Sequence, residues 1–210
     1  MPRVKVGRKS TFIDMTAMCD VAFLLLTFFI LTAKPRIDDP VKAEVPASSK
    51  LKTVPEDNLA LITIGNVNGK DEVFYSVTGS DIRKETLIAM GEKYKISFTP
   101  EEILKFQNTE VFGVPIESLK QFLAMSEDEK KTFQQPGIPT DSTATNQLGD
   151  WLYTSRQADK GLHGKDLDVA IKGDKKEQYP AIDLVIGVLG KQKIFKFSLI
   201  TDLKTVAKTK

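Results

Sequence analysis

Residues 13–33 read IDMTAMCDVAFLLLTFFILTA, and this stretch decides how the rest of the chain is placed. It is 21 residues long, and a helix needs roughly 20 mostly apolar residues to cross the hydrocarbon core of a bilayer. Val21–Ala33 carries no charge, and Asp20 stands directly before it. An ionised carboxylate held at bilayer depth costs about 3 kcal/mol on insertion scales. An acid retained there points to a function.

Two plainer readings compete. A cleaved signal peptide would explain the basic start (Arg3, Lys5, Arg8, Lys9) and the 13-residue uncharged run. A cut after Ala33, however, places Leu31 where a small residue is needed, and Lys34-Pro35 follows. A buried helix of a soluble domain fits less well, because this segment is apolar nearly all round.

Charge sets the expected orientation. Residues 1–12 hold four bases and no acid, whereas beyond the helix only Lys34 and Arg36 lie close. The positive-inside rule therefore predicts residues 1–12 as a cytoplasmic N-terminus, 13–33 as the span, and the remainder across the membrane. Residues 34–57 hold four prolines and mixed charge, the composition of a semi-extended linker that reaches about 70 Å at full stretch. Residues 58–210 then form one globular domain of ordinary size. The net charge of +2 suggests no nucleic acid or other polyanion as partner. The single cysteine, Cys19, lies in the span, so the exported domain does not rest on disulfides. The single histidine, His163, reads as a solvated residue of a Gly-rich turn rather than a ligand. No motif for a hydrolase, a metal site or a phosphate loop is present. The chain is therefore expected to be no enzyme, with no catalytic residue, metal or cofactor.

At 100° per residue Asp20 shares a helix face with Thr16 and Thr27, a thin polar stripe on an apolar rod. Such hydroxyls bond across to neighbouring helices or to water. The stripe asks for partner helices that enclose it. Burial favours the neutral acid and contact with water the ionised one, so Asp20 is expected to take up and release a proton, with Thr16 and Thr27 lining the path. The plainer alternative is an acid that pairs with a partner's base and fixes assembly. Asp14, about 240° around the helix, is read as a helix N-cap or a ligand at the cytoplasmic rim, capping being the commoner role.

The run Phe12–Ala33 resembles the transmembrane signature of the ExbD/TolR family: an Asn or Asp, Thr-Pro, two residues, Asp-Val, then an apolar run ending near Thr-Ala. Asp14, Thr16, Asp20-Val21 and Thr32-Ala33 match it. Ala17 departs from it, where the family usually has proline, which bears on helix geometry near the cytoplasmic end. A shorter likeness runs from Leu167–Asp174 through Tyr179-Pro180 to Phe197–Thr201. The resemblance implies a stator subunit in the inner membrane. Its helix is enclosed by an ExbB-like pentameric ring, beside a second copy or an ExbD paralogue. The intramembrane aspartate, Asp20 by position, passes protons down the proton-motive force to energise a TonB-like protein. It also implies a small periplasmic α+β domain, and the long middle of this one resembles ExbD-like proteins of the Bacteroidota.

The expected class is thus α+β: one N-terminal transmembrane helix plus a small periplasmic α+β domain with a helical insertion at about 91–165. Strands are predicted at 59–65 and 73–77, joined by a turn in Gly65–Gly69. A helix is predicted over 81–93, with Ile82, Leu87, Ile88 and Met90 as core positions. Capping boxes begin at Thr99 and Ser126. Further helices are predicted at 116–124 and at 144–158 with Trp151 inward. The end reads as strand 167–172, helix 180–190, strand 194–200 and a short helix near 201–207. The charged starts of the insertion read as solvated helix ends or, alternatively, as a docking surface.

Three function classes remain: a proton-coupled stator, a membrane-anchored periplasmic binding protein (or a TolR-like envelope-integrity subunit), and a secreted hydrolase. The hydrolase lacks the residues it needs. Whether H⁺ or Na⁺ is carried stays open, since a carboxylate among hydroxyls suits either.

Overall fold

A computed structural model describes residues 15–33, 47–48, 58–140, 146–173, 179–200 and 202–203. The chain divides into two compact units, residues 1–38 and 39–210.

In the first unit, α1 (Met15–Thr32) is one uninterrupted helix of 18 residues. At 1.5 Å per residue it is about 27 Å long, close to a bilayer core. No residue on it is buried.

The second unit is built on a five-stranded mixed sheet. β1 (Ala47–Ser48) lies outside it, while β2 (Leu59–Val67) and β3 (Lys70–Val77) form an antiparallel hairpin with Ala60 opposite Val77 and Val67 opposite Lys70. The connection is only Asn68-Gly69, both left-handed at φ 53° and 81°, the Asn-Gly pair that a tight hairpin turn prefers. Gly65, Asn66 and Val67, expected in the turn, are strand residues. Their backbone groups continue the ladder with Glu72, Asp71 and Lys70.

The helices follow in order: α2 (Ser80–Tyr94), α3 (Pro100–Asn108), α4 (Ile116–Ala124), α5 (Glu127–Thr132) and α6 (Gln147–His163), with β4 (Val111–Phe112) between α3 and α4. The capping boxes of Thr99 and Ser126 both form. Each side chain accepts from the amide three residues on, and Glu102 and Glu129 return the bond. α6 begins at its Asn146 cap, which accepts from the Gly149 amide at 3.0 Å. It runs five residues beyond the expected end and closes at Gly164 with φ 67°.

The chain then makes β5 (Asp168–Gly173), α7 (Tyr179–Lys191), β6 (Ser198–Ile200) and β7 (Asp202–Leu203). The sheet order is β4-β3-β2-β5-β6, with β2, β5 and β6 mutually parallel. Parallel neighbours need a crossover, and α7 supplies the one between β5 and β6. The last strand is shorter than its apolar pattern suggests, since residues 194–197 form the return from α7. The short helix expected near 201–207 is not what the described part shows. Asp202 and Leu203 pair instead in parallel with Ala47 and Ser48, inside the stretch read as linker. That pairing joins residues far apart in sequence, so no local pattern announces it.

One cluster forms the core. Ala60, Ile62, Ile64, Tyr75, Val169 and Ile171 of the sheet meet Leu87 and Met90 of α2, Trp151 and Leu152 of α6, and Val185 and Leu189 of α7. Phe106 of α3, Phe112 of β4 and Leu119 and Phe122 of α4 belong to the same cluster. Trp151 is fully buried as expected. It stacks on Phe106 at 5.7 Å between centroids and meets Phe112 edge-on at 4.9 Å. Residues in the middle of the chain therefore share the core of the sheet. β4 extends the sheet on the β3 side, with Phe112 opposite Tyr75 and Val111 opposite Ser76.

Buried amides tie the loops. Gln147 Oε1 accepts from the Ile116 amide at 2.9 Å while its Nε2 donates to both oxygens of Glu117 at 3.0 Å. Gln135 Oε1 accepts from the Gly113 amide at 2.6 Å.

Candidate functional site

The intramembrane candidate sits on α1. Asp20 is five residues into the helix. At 1.5 Å per residue, Thr16 lies about 6 Å below it and Thr27 about 10 Å above along the axis. An unbroken helix keeps the three on one side, as the spacing requires. The Thr27 hydroxyl donates to the Leu24 carbonyl at 2.9 Å, and Thr32 donates to Phe28 at 2.8 Å. Thr27 thus spends its proton on its own helix and presents oxygen lone pairs to its surroundings. Asp14 lies outside the described residues.

The rest of α1 is apolar and uncovered. Met18, Val21, Phe23, Leu24, Phe28 and Phe29 are all more than half exposed, and Leu31 is 85% exposed. Water around so much apolar surface is costly. A helix of this length, composition and exposure fits a single membrane span.

The second unit holds another titratable cluster. His163 is not in a loop. It is the last residue of α6, and its Nδ1 lies 2.9 Å from Oδ1 of Asp159, one turn earlier. Its Nε2 lies 3.1 Å from Oδ2 of Asp81, in the first turn of α2. The imidazole therefore bridges the end of α6 to the start of α2. Asp159 is fully buried and its Oδ2 has no hydrogen-bond partner among the described residues. The i, i+4 spacing of Asp159 and His163 was legible in the sequence, but the approach of Asp81 depends on how α2 packs against α6. At the opposite end of the same helix pair, Lys93 and Tyr94 of α2 both hold Asp150 of α6, at 2.5 and 2.8 Å. Burial, and then the Asp150 carboxylate, push the Tyr94 phenol well above its ordinary range. Among the described residues no group of three His, Cys, Asp or Glu is placed to hold a metal ion.

An apolar helix with one acid on it, followed by an α+β domain, defines a class of single-span anchored membrane proteins. The family described as "Biopolymer transport protein ExbD/TolR" matches residues 8–204, nearly the whole chain, and the protein belongs to that family. No curated protein and no solved structure matches the chain. The family is one of inner-membrane-anchored, non-enzymatic subunits that energise biopolymer transport, working in membrane complexes with ExbB or TolQ and with TonB or TolA.

Proposed function

We propose that this chain is a stator subunit of a proton-driven motor of the ExbB–ExbD type, and that Asp20 is its proton-carrying group. The reading rests on one observation above all: a single carboxylate on an 18-residue helix with no buried surface of its own. Such a helix is incomplete until other subunits or lipid surround it. An ExbB-like pentameric ring, holding this helix beside a second copy or a paralogue, supplies the wall.

In that enclosure Asp20 is neutral against apolar side chains and ionised where the ring opens to water. Moving one charge across the membrane releases about 2.3 kcal/mol per 100 mV, which drives the rotation or tilt that re-exposes the acid. Thr16 and Thr27, on the same face, carry the hydrogen-bonded path to either side of it. Asp14 caps the helix at the cytoplasmic rim. Residues 1–12 stay in the cytoplasm, 34–57 connect the span to the domain, with Ala47–Ser48 paired to β7, and 58–210 work in the periplasm, where they engage a TonB-like protein and energise transport through the outer membrane.

The test is Asp20→Asn in the assembled complex. The amide keeps size and polarity but does not ionise, so energised uptake is abolished while the subunit still co-purifies with its ring. Full transport by the variant sinks the proton role. Replacing residues 13–33 by an unrelated apolar span separates a proton carrier, which fails, from a plain anchor, which works. Detergent sensitivity of the deletion strain with normal uptake would mark the TolR branch of the family instead.

A further inference from the structure

The geometry points to a phosphate-binding pocket on the outer side of α6, where that helix meets the end of α7. The cavity is about 310 Å³. Tyr153, Arg156 and Lys160 of α6 line it from one face, at i, i+3 and i+7. Lys191 and Lys193 enter from the turn that ends α7, and Asp166 from the approach to β5.

The turn is defined by its backbone. Lys193 is left-handed at φ 59°, its amide bonded to the Gly190 carbonyl at 3.0 Å, and the Ile194 amide returns to Leu189 at 3.0 Å. This places Lys191 and Lys193 beside a helix 30 residues and more away in sequence.

Four bases face one acid here, a local charge of +3 that the overall +2 conceals. None of the four makes an ion pair among the described residues. Basic side chains near a helix end offset its dipole, but a helix C-terminus carries only about half a negative charge. Two such ends do not balance three unmatched cations.

The second observation is Arg156 itself. Among the described residues its Nε is enclosed without a hydrogen-bond acceptor, and the Oε1 of Gln192, which lines the same cavity, is enclosed without a donor. Gln192 is held through its other amide atom, which donates to the Gly149 carbonyl. A guanidinium partly buried without an acceptor is expensive, and such orphaned groups in a folded protein call for an explanation. A phosphate monoester is a matching ligand. Its oxygens accept from the guanidinium and the three ammonium groups. Tyr153, 52% exposed, offers a ring edge and hydroxyl to the organic part. The ligand is either a soluble organic phosphate or the headgroup of an anionic lipid.

The full chain, in detergent and in lipid nanodiscs, decides between them. Inorganic phosphate and glycerol 3-phosphate are titrated by calorimetry against the detergent-solubilised protein. In parallel, amide exchange of residues 153–160 and 189–194 is compared in nanodiscs of phosphatidylcholine with and without phosphatidic acid. One saturable site per chain, weakened about tenfold for each of Lys160→Gln, Lys191→Gln and Lys193→Gln, is the expected result. Saturation by the soluble phosphates identifies a soluble ligand. Protection only in phosphatidic acid discs identifies a headgroup. Absence of saturation and of protection with every probe overturns the site, as does binding unchanged in the triple Lys→Gln variant. These lysines are exposed and form no ion pair, so the variants fold. Arg156→Gln adds a check, because it removes the orphaned donor and the binding together.

Discussion

Trp151 tests whether the middle of the chain is part of the sheet's core. It is the only tryptophan, fully buried, stacked on Phe106 and edge-on to Phe112, and its indole Nε1 has no hydrogen-bond partner among the described residues. Trp151→Ala leaves a large void and costs about 3–5 kcal/mol, a fifth or more of the ~5–15 kcal/mol that holds a domain together. Trp151→Phe behaves differently. It loses roughly two methylenes' worth of burial, about 1.6 kcal/mol, but it also removes an unsatisfied N–H whose burial costs about 1–3 kcal/mol. The two largely offset each other, and the net change lies between a loss of about 0.6 and a gain of about 1.4 kcal/mol. Urea unfolding of the full chain in mild detergent, followed by far-ultraviolet circular dichroism, measures both variants. Acrylamide quenching of the wild-type indole reports its enclosure directly. A Phe variant as damaged as the Ala variant would mean that Nε1 has a partner in solution. An Ala variant costing less than about 1 kcal/mol would mean that α6 does not share the sheet's core, and the packing argument would fail.

Two further predictions concern the same domain. Gly113→Ala places a Cβ 2.3 Å from the Phe74 ring, which is itself buried on the opposite sheet face. The ring or the backbone must move, and the unfolding midpoint falls by the equivalent of about 1–3 kcal/mol; an unchanged midpoint refutes the close approach. The amide and hydroxyl of Ser126 hold the Glu129 carboxylate below its ordinary value of 4.5. A folded-state value below the unfolded one contributes stability that is present above pH 4.5 and is lost as pH falls through the depressed value. Carboxyl NMR of Glu129 therefore titrates below 4.5 in the wild type and returns towards 4.5 in Ser126→Ala; equal midpoints dispose of the capping box.

Sequence alone determined the parts of this protein whose cause is local. The anchor follows from an uninterrupted apolar run, and Asp20, Thr16 and Thr27 share a side because helical spacing leaves no alternative. The Gly- and Asn-rich stretch Gly65–Gly69 announces the hairpin, though not that only Asn68-Gly69 turns, Thr99 and Ser126 announce two helix starts, and Trp151 lies in an amphipathic pattern that turns it inward. Each of these signals acts over a few residues, so it survives without knowledge of the fold.

Tertiary structure decided what depends on residues distant in sequence. β4 is two residues long and exists because Tyr75 and Ser76 offer it a free edge. β7 is a strand and not a helix because Ala47 and Ser48 lie beside it. His163 bridges two carboxylates because α6 runs past its expected end and meets α2. The basic pocket needs α6 and the α7 turn in one place, and neither segment carries enough charge to reveal it alone. Pairing energies and electrostatic fields depend on distance through space, and the chain's own order encodes that distance only after the core has closed.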